Sequence, residues 1–187
     1  MPRQIRSRRT ALTLGAALLM LVSPSRVLAD SAEDIDSRVA AALPMLYQNQ
    51  PLAQTLSQSA KGILVFPNIV KAGFMFGAQY GEGALLENGN TVGYYSSVAA
   101  SYGFQAGVQV FGYAMFFMND NALSYLNRSD GFEIGVGPSV VIVDQGMGKS
   151  LTSTTLTQDV YAFIFDQQGM FAGAGIQGSK ITKINRD

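Results

Sequence analysis

Lys61 and Lys71 bracket the segment Gly62-Ile63-Leu64-Val65-Phe66-Pro67, and Lys180, Lys183 and Arg186 stand near the end of the chain. Five of the eight cations that follow residue 29 fall in these two short regions, interleaved with Ile, Val and Phe. Two readings fit that pattern. One is an ordinary solvated face. The other is a patch that meets anionic head groups, where each cation near the surface contributes on the order of 1 kcal/mol.

The acids are less suggestive. Glu82, Glu87, Asp120, Asp130, Glu133, Asp144, Asp159 and Asp166 fall mostly at expected turns and strand ends, where solvated carboxylates are ordinary. Asp130 and Glu133 flank Phe132, and a glycosidase pair would need a carboxyl separation that spacing alone does not give. A carboxylate-dependent hydrolase is therefore kept only as an alternative. Gly146-Met147-Gly148-Lys149-Ser150 ends like a phosphate-binding loop, but Val143 stands where that loop requires glycine. Nothing has the spacing of an EF-hand. No catalytic residue, cofactor or metal ligand is assigned.

Composition narrows the chemistry further. The 187 residues are 48% apolar, with 20 Gly and 19 Phe and Tyr, and contain neither Cys nor His. Without Cys there is no disulfide framework, thiolate nucleophile or thioether lipid anchor. Without His there is no Ser–His relay and no ordinary zinc site. Thirteen cations balance thirteen acids, but Arg3, Arg6, Arg8, Arg9 and Arg26 all precede residue 30, where no acid occurs. The remaining residues hold 8 cations and 13 acids, a net −5. Such a body is a poor general nucleic-acid binder, because that affinity comes mainly from phosphate neutralisation.

Residues 1–29 have the layout of a cleavable export signal. A cationic start leads into the apolar run Ala11 to Val22, followed by Val27-Leu28-Ala29, an A-x-A-like cleavage site. The run is shorter than the roughly 20 apolar residues that a spanning helix needs. Ser7-Arg8-Arg9-Thr10-Ala11-Leu12 is Tat-like, and Sec export remains equally open. The expected location is the periplasm or the outer-membrane surface, not as a lipoprotein.

Residues 30–60 read as helical and form one globular unit with a β-rich segment, 61–187. Ser31-Ala32-Glu33-Asp34 resembles a capping box, and Ile35, Val39, Leu43 and Leu46 recur at helical spacing. Pro44 is expected to kink or divide this helix, and Pro51 to open a second one carrying Leu52, Leu56 and Ala60. This stripe packs on the core or, less in keeping with Asp34 and Asp36, faces a membrane.

Strands are expected at Gly62 to Pro67, Gly73 to Tyr80, Ala84 to Glu87 and Thr91 to Ala99, with Tyr102 to Met118 supplying two around Gly112. Asn88-Gly89-Asn90 and Asp166-Gln167-Gln168-Gly169 read as hairpin turns. Asn119 caps a short helix through Leu126. Further strands are expected at Phe132 to Val136, Ser139 to Asp144, Val160 to Asp166 and Met170 to Ile184, with a polar loop over Gly146 to Thr157. Glycines inside strands, such as Gly73, Gly77, Gly81 and Gly83, mark bends or close backbone approaches. The fold class is α+β: a mostly antiparallel, glycine-rich, strongly curved or barrel-like sheet with N-terminal helices and one short internal helix.

The order of several blocks resembles the SYLF lipid-binding domain family. Ala60-Lys61-Gly62-Ile63-Leu64-Val65-Phe66-Pro67 with Lys71-Ala72-Gly73-Phe74 is similar to its opening, and Tyr80-Gly81-Glu82-Gly83 to its Tyr-Gly-x-Gly block. Ser101-Tyr102-Gly103-Phe104-Gln105-Ala106-Gly107, Phe116 to Leu123, Ser129 to Gly135, Gly169 to Gly173 and Gln177 to Ile184 follow in the family's order. Phe132 departs from it, standing where Trp is common. The resemblance implies a non-enzymatic domain: eukaryotic relatives bind phosphoinositides and, in yeast-like members, bundle actin, while bacterial relatives are exported and bind phospholipids.

The expectation is thus peripheral, non-catalytic binding to an anionic phospholipid surface, with Lys61, Lys71, Lys180 and Lys183 as lipid-binding residues and nearby aromatics entering the interface. No cofactor, metal or nucleic acid is expected. An integral outer-membrane β-barrel is the structural alternative; the apolar run Val140-Val141-Ile142-Val143 argues against it, since barrel strands alternate apolar and polar residues.

Overall fold

A computed structural model describes residues 30–128, 131–133, 137–143 and 157–186. The expected export signal, the expected loop over 146–156, and Asp130 and Asp144 lie outside the described residues.

Helix α1 (Ala32–Asn49) starts as the sequence predicts. The Asp34 amide donates to Ser31 Oγ at 3.1 Å, and Ser31 Oγ donates to the Asp34 carboxylate at 2.7 Å. Pro44 does not divide the helix. It lies on the exposed side, where water can satisfy the carbonyl that its missing N–H leaves open. The break comes instead at Gln50, and Pro51 opens α2 (Pro51–Ser57). Ile35, Val39, Leu46 and Leu56 are buried against the sheet, so the apolar stripe is core and not a membrane face.

Three strands of unusual length dominate: β1 (Gly62–Glu87), β2 (Asn90–Phe117) and β5 (Val160–Ile184). They pair antiparallel, β1 with β2 and β2 with β5. Between β2 and β5 the chain forms helix α3 (Asp120–Leu126), capped by Asn119, and the short strands β3 (Phe132–Glu133) and β4 (Val140–Val143). Strand order is β1-β2-β5-β3, with β4 pairing in parallel to β5. The fold is α+β with a strongly curled half-barrel sheet.

Asn88-Gly89 forms the expected hairpin turn, both residues at positive φ (51° and 80°). The other expected breaks are not breaks. Gly73–Tyr80 and Ala84–Glu87 belong to the single strand β1, and no turn divides β2 at Gly112. Asp166 to Gly169 is a bulge within β5, not a hairpin: Gln168 pairs with Val110 and Phe165 with Gly112, leaving Asp166 and Gln167 opposite Phe111.

Such long strands avoid running off into solvent because the ribbon doubles over. A Cβ on Gly83 would stand 2.1 Å from the Val65 carbonyl oxygen, and one on Gly73 would stand 2.4 Å from Gly77 Cα. One on Gly81 would meet the Asn68 carbonyl oxygen at 2.8 Å. Residues 62–69 therefore run beside residues 81–87 of the same strand, and β1 bends back around 73–77. Only a chain lacking Cβ at these points can close so tightly.

Two layers of core hold the bend shut. Inside it, Leu64, Phe66 and Ile69 of one arm meet Leu85 and Tyr95 of the other, together with Met115, Phe117 and Phe132. Outside the closed end, α1 and α2 cover Val65, Ala84, Phe116 and Phe163. The helices cap one end of the folded ribbon. Among the described residues, nothing covers the bend itself.

Candidate functional site

On β2, residues 98 to 108 alternate between two faces, as a pleated strand must. Odd positions turn inward and are small or polar: Ala99, Ser101, Gly103, Gln105, Gly107 and Gln109. Even positions turn outward and are apolar throughout: Val98, Ala100, Tyr102, Phe104, Ala106 and Val108, all exposed. Strand β1 repeats the arrangement through its cross-strand partners, with Val70, Phe74, Phe76 and Tyr80 outward. Met170 and Ala172 of β5 extend it, opposite Val108 and Ala106. This is the apolar-out, polar-in alternation that the Val140–Val143 run lacks.

The exposures at the bend are extreme for such side chains. Phe104 is 90% exposed, Met170 78%, Phe74 77% and Phe76 70%. The Phe76 and Tyr102 rings are in contact, centroids 4.9 Å apart and planes tilted by 40°. No charged side chain occupies an outward position of β1 between 70 and 80 or of β2 between 98 and 108. A contiguous apolar face on this scale marks a contact surface rather than incidental exposure.

The inward side of the bend is fixed by hydrogen bonds. Ser101 Oγ donates to Gln105 Oε1 at 3.0 Å, and Gln105 Nε2 donates to the Met75 carbonyl at 3.4 Å. Met75 is left-handed at φ 60°, a conformation that costs a side-chain-bearing residue and persists when its surroundings impose it. The buried Gln105 amide is part of those surroundings. The rings are thereby displayed from a fixed platform.

A polar clasp borders the apolar face. Tyr80 donates to Glu82, whose nearly buried carboxylate is also paired with Arg186, Nε lying 3.0 Å from Oε2. Burial first, and the Glu82 hydrogen bond second, push the Tyr80 hydroxyl up to about 12.

The four expected lysines divide into two pairs by position. Lys71 lies on β1 beside the bend, its Nζ 4.4 Å from the Phe171 ring centroid. Lys180 lies opposite Val98 at the border of the apolar face, with Glu133 4.0 Å away. Lys61 precedes β1 at the helix-capped end, its amide bonded to the Phe117 carbonyl at 2.8 Å. Lys183 pairs in register with Tyr95, where the ribbon re-enters the core.

Among the described residues no group of three or more acids could hold a metal ion, and no helix is long and apolar enough to cross a membrane. The family model described as Ysc84, Las17-binding protein actin regulator, matches residues 98–187. No curated protein matches the chain.

Proposed function

Given that residues 98–187 belong to the Ysc84 (SYLF) family, we propose that this protein is a non-catalytic, exported module that docks peripherally on anionic phospholipid surfaces. One observation carries the reading: the outward face of the bend is apolar and, among the described residues, uncovered across three strands. In water that face is costly; against acyl chains it is not. The cationic and apolar opening of residues 1–29 supports export.

The mode of docking follows from the backbone. β1 is an edge strand of the described sheet, so its outer N–H and C=O groups lack a ladder partner there. Open sheet edges do not occur in hydrocarbon, where each unpaired group costs several kcal/mol. The ribbon therefore stays at head-group depth while Phe74, Phe76, Phe104 and Met170 reach below it. Tyr102 and Tyr80, apolar in body and polar at the tip, suit the boundary. Lys180 meets lipid phosphates beside the rings, and Lys61, Lys71 and Lys183 act as longer-range steering charges on a body of net −5, Lys71 from the inward face of β1.

The family description names Las17 binding and actin regulation. For this chain that role rests on the description alone, whereas membrane docking also rests on the bend. Co-sedimentation with vesicles tests the proposal: binding to anionic vesicles, reversed by salt or carbonate, supports it. An integral barrel would resist carbonate, and absence of binding to any vesicle would refute membrane docking.

A further inference from the structure

Between β2, β5 and β3 runs a groove of about 470 Å³, lined by Val98, Ala99, Ala100, Glu133, Ser179, Lys180 and Thr182. We propose that it is a head-group site for an aminophospholipid, a lipid whose phosphate diester is joined by a short linker to a primary ammonium. The proposal rests on the membrane reading and names the lipid chemistry.

Glu133 and Lys180 are direct cross-strand partners, so both side chains project to the same side of the sheet. Their charged atoms stand 4.0 Å apart, the outer limit of an ion pair, and both side chains are about half exposed. An exposed pair of this kind contributes little. A ligand that offers phosphate to Lys180 and ammonium to Glu133 replaces it with two charge-assisted hydrogen bonds. The hydroxyl of Thr182, two residues from Lys180 and on the same face of β5, is a further donor for a phosphate oxygen.

The groove is also placed correctly for a lipid. Val98 and Ala100 in its lining are outward residues of the apolar face, so a head group seated beside Lys180 directs its acyl chains along that face. The carboxylate supplies the discrimination. A glycerol head group offers no cation to Glu133, and a choline head group offers a cation without an N–H to donate.

The test compares vesicles of equal phosphatidylglycerol content whose remainder is phosphatidylethanolamine or phosphatidylcholine. The purified protein is expected to bind the ethanolamine vesicles about fivefold more tightly, the worth of one exposed charge pair. Because ethanolamine lipids also loosen head-group packing, Glu133→Gln carries the decision. This variant should bind the two mixtures equally while keeping the circular dichroism of the wild type. Soluble phosphoethanolamine should compete weakly, since it lacks the acyl chains. Equal binding of the wild type to both mixtures, or a preference that survives in Glu133→Gln, would overturn the proposal. Binding to neither mixture would refute membrane docking itself.

Discussion

The rings of Phe76 and Tyr102 meet with centroids 4.9 Å apart and planes tilted by 40° on the outer side of the bend, placed there by direct cross-strand pairing of β1 with β2. Aromatic cross-strand pairs ordinarily stabilise a sheet from within a core. Here both members are exposed, and Phe104 and Phe74 beside them are more so. The same pleat that turns these rings outward turns Gly73, Gly77 and Gln105 inward, so one alternation closes the bend and displays its rings.

Closure of the bend predicts a specific sensitivity. Gly83→Ala should destabilise the fold by about 1–3 kcal/mol, the usual range for overpacking, because the new Cβ would meet the Val65 carbonyl oxygen at 2.1 Å. Urea unfolding measures this. An unchanged midpoint would mean that the two arms of β1 do not touch there.

A second prediction concerns the core. The Tyr113 hydroxyl is buried without a hydrogen-bond partner among the described residues. Tyr113→Phe should therefore be neutral or stabilising, by up to about 1–3 kcal/mol. Burial also pushes this hydroxyl up to about 12. An unfolded tyrosine titrates near 10, so the folded state favours the neutral form. That contribution is fully present below pH ~10 and is lost as pH rises through ~12. The variant should show a shallower alkaline loss of stability, although Tyr80 and Tyr95, also at about 12, keep part of it. An alkaline limb identical to the wild type would contradict this.

The sequence disclosed most of the local structure and less of the site. The Ser31 cap, the Asn88-Gly89 turn and the Asn119 cap are local devices, legible from residues next to one another. Strand glycines announced close approaches, but not that Gly83 approaches Val65 of its own strand. Asp166-Gln167-Gln168-Gly169 has turn chemistry, yet its neighbours continue the ladder, and the tertiary pairing prevails. The site was missed because Tyr102 to Met118 reads as one long apolar run. The informative period begins earlier, at Val98, where apolar even positions alternate with small or polar odd ones. Lysines were legible as charges; their distance from the rings required the fold.

That distance gives a third prediction. Lys180→Glu, at the border of the apolar face, should weaken binding to anionic vesicles about fivefold at low salt, from roughly 1 kcal/mol per cation. The loss should shrink as added salt screens the surface. Lys71→Glu, on the inward face of β1, and Lys61→Glu and Lys183→Glu, at the helix-capped end, should do less. Equal effects at all four positions would assign docking to overall charge and not to the bend.

The account stands or falls on the exposed rings. Full burial of a Phe side chain contributes about 1.5–3 kcal/mol, so shallow entry of each ring at about 1 kcal/mol is worth roughly fivefold in binding. The direct measurement is vesicle co-sedimentation of Phe74→Ser/Phe104→Ser beside the wild type, with thermal unfolding of both proteins. The account predicts about a 25-fold loss of vesicle binding with no fall in the unfolding midpoint, because neither ring packs in the core. Undiminished binding by the double variant would contradict it.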